Sequence, residues 1–580
     1  GGSDAFSGVS GNPLAGCVAK ETIRYGGSAN LAETDELIGA EPYVLSNVRA
    51  VETARAFLKK IDVFKQRAGM HGHSAEGNPS GGNLLRGLYN ITIKSIGAAR
   101  KKDPEVRLDF VIDYGQQMRE TGFYFMDSPG NDLESVAGQV ASGANLILFT
   151  TGNGSITNFP FVPTIKIVTT TGRYKLVNRD MDVNAGRYLD GVPMEQLGTE
   201  TFEMALRIAS GERSVGEKAG HAQVQLWRNW RQIKPISLPQ FQRRKPSGHP
   251  IPIKHAKPST STFKAFCTSD GYACDRVGAV VPTSLCSGQI ANLIVEKLNN
   301  VPSHRRMVSR YVTFVHTEGC GVSGGNDEQL YLRTLIGHAA HPMVHQTLLL
   351  EHGCEKTHND VMRQFLIDEG FDLDRFGWAS VQLDGGIESV TNKVASWFEQ
   401  VLGDCGIKDV QDVGLEHLRL GITSFGAVPE IAAAALAEVV ATVVASGGTV
   451  VVAHNATLMD GTAFLDRLFN TTNVEPSLSY GQRATQNGFH LMETPTRHAC
   501  ETLTGLGATG VDVMASLVSR RPVQAHPMIP LFQIGADGNV PDVDLFVEPE
   551  SGEETLAANV MERILRVASR LETPKLFGRG

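Results

Sequence analysis

Side chains that could bind a metal or move a proton follow several predicted strands of this 580-residue chain. In the middle of the chain they are Cys286, His316, Cys320, His352, Cys354 and Glu355. Nearer the start they are Glu33, Asp127 and the Thr150-Thr151 pair. Ligands of open parallel sheets bind beyond the carboxyl ends of the strands, because loops and helix N-termini converge there. The recurrence of such side chains at strand ends in two parts of the chain predicts a functional site.

Each of these residues also has an ordinary structural interpretation. Cys286 and Cys354 could be buried packing residues, and His352 could cap a helix. Asp127 could belong to a simple turn. The segment Gly152-Asn153-Gly154 lacks the lysine and the spacing of a P-loop, so it is weak support for phosphate binding.

Composition limits the class of protein. The net charge of −8, from 54 basic and 62 acidic residues, argues against a general nucleic-acid binder. No apolar run is long enough to predict a membrane span. The eight cysteines contain no C-x-x-C pair, so we expect a reducing, cytoplasmic compartment. No targeting peptide is visible at Gly1–Asp4; this start is either a cloning remnant or, as the later sequence favours, the middle of a domain.

The elements that must position these residues alternate between strand and helix. Strands are predicted at Val277–Ser284, Tyr311–His316, Thr347–His352 and Ala379–Asp384, each followed by a helix. This pattern predicts a multidomain α/β protein with mostly parallel sheets and helices on both faces. The predicted units are a first domain (1–233), a proline-rich basic linker (234–262), a middle domain (263–415) and a last domain (416–580). The basic cluster at 243–245 could bind an anion or RNA, although a solvated linker is favoured.

The last domain weakly repeats the first. Gly122–Pro129 reappears as Gly488–Pro495, offset by 366 positions, although chance similarity between two α/β segments is the alternative. Polar groups are lost in the second copy. The pairs we align are Asp4 with Phe425, Glu33 with His454, Asp127 with Glu493, and Thr150-Thr151-Gly152 with Ser516-Leu517-Val518. The last domain is therefore predicted to be structural.

Several motifs carry a family resemblance. In the first domain they are Gly1–Gly8, Asn12-Pro13, Gly26-Gly27, Glu33-Thr34, Gly77–Asn83, Gly122–Pro129, Ala141–Gly152 and Asp180–Asn184. In the middle domain they are Arg276–Gly278, Leu285–Gly288, His316–Gly321, Arg333–Leu335 and His352–Glu355. These segments resemble the carboxy-terminal and middle domains of the altronate/galactarate dehydratase family, and the last domain resembles a degenerate second copy of the former.

The resemblance implies a carbon–oxygen lyase that dehydrates a sugar acid to a 2-keto-3-deoxy acid with a divalent metal, commonly Fe²⁺, with Mn²⁺ or Mg²⁺ as alternatives. It implies catalytic roles for Asp4, Glu33, Asp127, His316 and His352, with the three carboxylates acting as the base or as metal ligands. It implies substrate binding by Asn12, Asn83, Thr150, Thr151 and Gly152, and metal binding by Cys320, Cys354 and Glu355. The expected partner is a small sugar acid, with no nucleic acid or membrane and with a possible homo-oligomer.

The domain order departs from the family, in which the middle domain precedes the carboxy-terminal one. Either a duplicated polypeptide has lost an upstream middle domain, or the first domain pairs with the middle domain of this chain. In the second case the two sets of strand ends should face each other. Two other functions stay open: a sulfo-lyase acting on a sulfonated hydroxy acid, and an inactive structural or regulatory fragment.

Overall fold

The structure is a computed structural model. It describes residues 1–70, 74, 78–79, 83–84, 87–227, 245–268, 271–301, 308–318, 325–403, 410–471, 473–548, 550 and 552–578. Within these ranges the strands form five sheets, four of them parallel and one antiparallel. The predicted α/β class with mostly parallel sheets is therefore confirmed. No helix in these ranges is both long enough and apolar enough to cross a bilayer.

The first domain contains two parallel three-stranded sheets, with strand orders β1-β3-β2 and β4-β5-β6. The strands are β1 (Ser28–Leu31), β2 (Leu108–Ile112), β3 (Gly122–Met126), β4 (Ile147–Thr151), β5 (Thr164–Val168) and β6 (Val183–Asn184). The helices are α1 (Asn12–Arg24), α2 (Glu41–Leu45), α3 (Val51–Met70), α4 (Ile91–Ala99), α5 (Asp132–Ala141), α6 (Thr171–Val177), α7 (Met194–Ala209) and α8 (Val215–Lys218). Every residue of β3 and of β5 is buried, as expected for strands covered on both faces.

The middle domain contains a parallel sheet of order β10-β9-β11-β12 and a small antiparallel sheet of order β13-β7-β8. The strands are β7 (Thr262–Thr268), β8 (Gly271–Ala273), β9 (Val277–Pro282), β10 (Tyr311–Thr313), β11 (Val344–Glu351), β12 (Phe376–Ser380) and β13 (Val410–Gly414). The helices are α9 (Leu285–Asn300), α10 (Gly325–Ala339), α11 (Asn359–Asp368) and α12 (Ile387–Leu402). The strand predicted at Ala379–Asp384 lies earlier, because residues 381–386 form a turn closed by the Gly386 N–H bonding to Val381 O (2.9 Å).

The last domain contains one parallel sheet of order β16-β15-β14-β17-β18-β19. The strands are β14 (Arg419–Phe425), β15 (Thr449–Ala453), β16 (Gly488–Met492), β17 (Val513–Val518), β18 (Leu531–Gly535) and β19 (Leu545–Phe546). The helices are α13 (Glu430–Ala445), α14 (Thr462–Leu468), α15 (Ala499–Ala508) and α16 (Glu553–Ala568). The described part of the linker lies along this domain, where the Ile251 N–H donates to Phe489 O (2.7 Å).

The first and last domains share strand register. Ser28 pairs with Gly122 in the first domain, and Thr449 pairs with Gly488 in the last. One further hydrogen bond recurs: the N–H that follows β3 donates to Ile112 O (3.0 Å), and the N–H that follows β16 donates to Leu478 O (2.8 Å). A tyrosine ring also lies against a helix glycine in both domains. These pairs are Tyr114 with Gly138 and Tyr480 with Gly505.

The alignment of the two domains shifts by one residue after the third strand. Ile147 N–H donates to Pro163 O (3.0 Å), and the same bond in the last domain joins Met514 to Pro530 (2.9 Å), an offset of 367 rather than 366. Thr150-Thr151-Gly152 therefore corresponds to residues 517–519, one position later than the sequence alignment placed it. The cause is one extra residue in the turn before α15.

The middle domain packs against both neighbours. Ile156, Val168 and Val177 of the first domain share a hydrophobic core with α9 and α12. On another side, residues of α10 share a core with the sheet and helices of the last domain. The first and middle domains of this chain are therefore in direct contact.

Candidate functional site

The turn that follows β1 carries the first predicted carboxylate, Glu33. Its backbone is left-handed (φ 72°), a strained conformation for a residue other than glycine. The Glu33 N–H donates to Ser128 Oγ (2.9 Å), and the Thr34 hydroxyl donates to Asp127 Oδ1 (2.8 Å). These bonds join the turn after β1 to the turn after β3. Glu33 and Asp127 are both buried there.

Glu33 is paired with a cation. Lys101 Nζ lies 2.6 Å from Glu33 Oε2. Burial raises the pKa of the Glu33 carboxyl, but the charge and the hydrogen bond of Lys101 oppose burial, and the pKa lies below its usual value. Glu33 is therefore ionised at neutral pH, and a lysine occupies the position that a metal ion bound to Oε2 would need.

Three further residues near Glu33 were not predicted from the sequence: Asp35, Glu36 and Lys94. Lys94 Nζ lies 2.6 Å from both oxygens of buried Glu36. Asp35 Oδ2 accepts from Asn78 Nδ2 (3.1 Å), whereas its buried Oδ1 has no hydrogen-bond partner among the described residues. Burial, and after it the charge of Glu36, raises the pKa of Asp35 to about 7. The pKa values of Glu33 and Asp35 are thus shifted in opposite directions, and such pairs of carboxyls are typical of acid–base sites.

Asp4 lies at the edge formed by β4. Its Oδ1 accepts from the N–H groups of Phe6 (3.0 Å) and Ser7 (3.1 Å), and the Ser7 hydroxyl donates to Oδ2. The carboxylate also lies against Cα of Gly152, where a Cβ would overlap it. Asp4 and Gly152 are thus brought together, although most lone pairs of Asp4 are engaged within its own turn.

The predicted substrate-binding residues mostly support this edge. Asn12 Nδ2 donates to two main-chain carbonyls (2.6 and 2.9 Å), and its Oδ1 accepts from the Thr150 hydroxyl (2.8 Å). Thr151 Oγ1 accepts from two N–H groups of the following turn (3.0 Å each). Asn83 is half-buried in a short described fragment, where its carbonyl accepts from Leu88 (3.0 Å). Substrate contact by these residues stays a prediction.

In the middle domain, Glu355 organises the turn after β11. Its carboxylate is buried and accepts five hydrogen bonds. The donors to Oε1 are the His352 N–H (2.8 Å) and the hydroxyls of Thr283 (2.8 Å) and Ser284 (3.1 Å); the donors to Oε2 are the N–H groups of Gly353 (2.7 Å) and Cys354 (2.8 Å). Cys354 Sγ lies 3.5 Å from His352 Nδ1. The structure therefore brings His352, Cys354 and Glu355 together.

His316 lies in the loop after β10. Its Nε2 is 3.0 Å from Pro282 O, and its Nδ1 accepts from the Glu318 N–H (3.2 Å), so the proton is on Nε2. Burial lowers the pKa of His316 to about 4. His316 is therefore a neutral imidazole at physiological pH, held beside the end of β9.

The strand ends of the first and middle domains meet. Asn131, in the turn after β3, donates from Nδ2 to Thr317 O beside His316 (3.2 Å). Leu133 packs with Leu285 and Cys286 at the start of α9. Elsewhere along the contact, the Arg173 guanidinium lies 3.2 Å from Gln382 Oε1, and Gln382 Nε2 is 3.5 Å from the His352 ring. The turn that follows Asp127 and the loop that carries His316 therefore meet at one contact between the two domains.

The last domain also contacts the middle domain through residues at the amino ends of its strands. His341 Nε2 donates to Val511 O (3.1 Å) and Arg310 donates to Met528 O (2.7 Å), and both acceptors precede strands. The Arg333 guanidinium of α10 also donates to Tyr480 O (2.8 Å), and the charge of Glu493, which follows β16, acts on Arg333. The middle domain therefore meets the first domain at strand carboxyl ends, whereas its contact with the last domain includes the amino ends of strands.

The described residues do not provide a metal site. Among them, no three His, Cys, Asp or Glu side chains are grouped so that they could hold a metal ion. Cys320, a predicted ligand, lies outside the described residues. None of the six cysteines within the described ranges forms a disulfide.

Two family models match the chain. Residues 1–232 match the carboxy-terminal domain of D-galactarate/altronate dehydratases, and residues 277–405 match the second domain of D-galactarate dehydratases and altronate hydrolases. The relatives include altronate dehydratase of Escherichia coli K12, 30% identical over 229 residues (40% of this chain, 46% of the relative).

Two further relatives are informative. Galactarate dehydratase (L-threo-forming) of the same organism is 32% identical over 219 residues (37% and 41%). The (2R)-sulfolactate sulfo-lyase subunit beta of Chromohalobacter salexigens is 29% identical over 231 residues (39% and 59%). The chain thus spans about half the length of the dehydratases it matches. Because the two family models together match more than half of the chain, it belongs to the D-galactarate/altronate dehydratase family.

Proposed function

We propose that this protein is a hydro-lyase that dehydrates a sugar acid of the altronate or galactarate type to a 2-keto-3-deoxy acid. The observation that carries the proposal is the contact between the strand ends of two family domains, joined by the Asn131 amide and Thr317 O at 3.2 Å. Both domains bring ionisable side chains to this contact. Family membership and the dehydratases among the relatives support the reaction class.

The reaction needs a removable proton, a protonated leaving group and support for developing charge. The proton next to the substrate carboxylate is weakly acidic, so cations must stabilise the dianion that forms when it leaves. Lys101 and Lys94 supply positive charge in the first domain. A base takes the proton and an acid delivers one to the departing hydroxyl.

Asp35 is our candidate for proton transfer. It forms no ion pair among the described residues, and one oxygen of its buried carboxyl lacks a hydrogen-bond partner there. Its raised pKa of about 7 lets it exist in both protonation states near neutral pH. Glu33, ionised and paired with Lys101, keeps the second charge fixed nearby. His316 approaches from the middle domain as a neutral imidazole, and His352 lies in the turn after β11 of the same domain.

A divalent metal, Fe²⁺ before Mn²⁺ or Mg²⁺, stays part of the proposal on family grounds only. When bound, such an ion would stabilise the dianion as a Lewis acid. Elemental analysis of the purified chain tests this directly. A cytoplasmic location likewise stays a prediction.

A sulfo-lyase is the second candidate. The match to the sulfolactate sulfo-lyase subunit favours it, because both eliminations begin with loss of a proton beside a carboxylate and differ in the leaving group. The test is to incubate the full chain with altronate, galactarate or sulfolactate, under Fe²⁺ and reductant, and to follow products by mass spectrometry. A keto acid formed by loss of water supports the dehydratase, and sulfite release supports the sulfo-lyase. Neither product, with metal present, would favour a structural or regulatory fragment.

A further inference from the structure

The Glu355 carboxylate accepts hydrogen bonds from more donors than it has lone-pair directions. A carboxylate presents about four lone-pair directions, two on each oxygen. Five donors already point at Glu355, at 2.7 to 3.1 Å. A metal ion bound to either oxygen would have to displace at least one of these donors, which would then be left without its partner; the three donors to Oε1 are buried.

These donors come from two separate strand-end turns. Three are the consecutive N–H groups of His352, Gly353 and Cys354, which follow β11. Two are the hydroxyls of Thr283 and Ser284, which follow β9. One buried side chain therefore fixes the shape of the turn carrying His352 and Cys354 and ties that turn to the start of α9.

We propose that Glu355 is a positioning residue, which holds His352 and Cys354 at the domain contact, and that it is not a metal ligand. The proposal differs from the metal-binding role that the family resemblance implies for Glu355. Its consequence for catalysis rests on the proposed dehydratase function, whereas its effect on the turn does not. Burial raises the pKa of Glu355, but the neighbouring His352 and the hydrogen bonds lower it overall, so the carboxylate is available as an acceptor at neutral pH.

Amide hydrogen exchange of the full chain tests the positioning role without substrate. Glu355→Gln replaces one acceptor oxygen with an NH₂ group that faces other donors. We expect exchange of the 352–354 amides to rise by about tenfold or more, because charged hydrogen bonds are lost locally. Metal content per chain should match wild type. Asp360→Asn, which removes an exposed carboxylate from the following helix, is the control and should change neither.

A second variant keeps the proposal testable if Glu355→Gln does not fold. Thr283→Val has nearly the same shape and removes only one donor to Oε1, so exchange of the His352 amide should rise by about threefold. Unchanged 352–354 exchange in the folded variants would overturn the proposal, as would loss of bound metal with unchanged exchange.

An active chain adds a kinetic readout. If His352 is misplaced but substrate is still bound, kcat of Glu355→Gln should fall about tenfold or more while KM changes by less than about twofold. A rise in KM alone would contradict positioning of a reacting group. If wild type proves inactive, the proposed function fails but the exchange measurement still decides the role of Glu355.

Discussion

Acid should loosen the contact between the middle and last domains through two stacked histidines. The rings of His338 and His526 are nearly parallel (9°), with centroids 5.2 Å apart, and their Nε2 atoms are 3.1 Å apart. His526 Nδ1 accepts from the N–H groups of Met528 and Ile529, so its Nε2 carries the proton and donates to His338. His338 Nδ1 in turn donates to Thr334 O (2.8 Å). Both rings must therefore be neutral.

The loss of folding stability in acid follows from the pKa of each histidine ring. Burial lowers the pKa of His338 from 6.5 to about 4, and burial followed by the neighbouring ring lowers that of His526 well below 6.5. The unfolded chain therefore binds more protons between pH 6.5 and 4. The stabilisation is complete above pH 6.5 and is lost as pH falls towards the folded pKa. At pH 5 the loss for His338 alone is about 2 kcal/mol.

Denaturant unfolding at pH 7 and pH 5 measures this loss. His338→Gln places an amide oxygen where Nε2 accepted its hydrogen bond, and it does not titrate. Wild type should lose about 2 kcal/mol more than this variant between the two pH values. His249→Gln, at an exposed histidine in the linker, should behave as wild type does. Equal losses in wild type and His338→Gln would refute the reasoning.

Two further stability predictions follow from packing and charge. Gly138→Ala and Gly505→Ala each place a Cβ on the ring of a tyrosine, so both should destabilise by about 1–3 kcal/mol in thermal or denaturant unfolding; a large effect in only one domain would contradict their equivalence. Lys94→Met leaves Glu36 buried without its cation and should cost about 3–5 kcal/mol. Adding Glu36→Gln should recover part of that loss. If the double variant recovers no stability, the loss in Lys94→Met does not come from the unpaired Glu36 charge.

Local pattern predicted most elements because strand and helix alternate regularly in this chain. The strand predicted at Ala379–Asp384 lies earlier in the structure, at Phe376–Ser380. In the structure Gly377 lies inside β12, where the Trp397 ring packs against its Cα and leaves no space for a side chain. The antiparallel sheet of the middle domain was missed because Val410 pairs with Phe266, and no local pattern reports so distant a partner.

The candidate site was predictable only in part. Strand-end position identified Glu33 and Asp127, because parallel topology brings those ends together. Asp35 and Glu36 lie two and three residues after Glu33, and this acidic segment after a strand was a signal for further site residues. Their cations could not be assigned, since Lys94 lies 58 positions from Glu36 and Lys101 lies 68 from Glu33. Only the tertiary fold pairs them.

The central claim is that a lyase site depends on the carboxylates of the first domain and not on their counterparts in the last. Initial rates of keto-acid formation from altronate and galactarate test it most directly, comparing wild type, Asp127→Asn and Glu493→Gln at matched metal content. Wild type and Glu493→Gln should turn over at similar rates, whereas Asp127→Asn should be about 10²–10³-fold slower, because one preorganised charge is lost. Equal losses in both variants, or no product from wild type, would contradict the account.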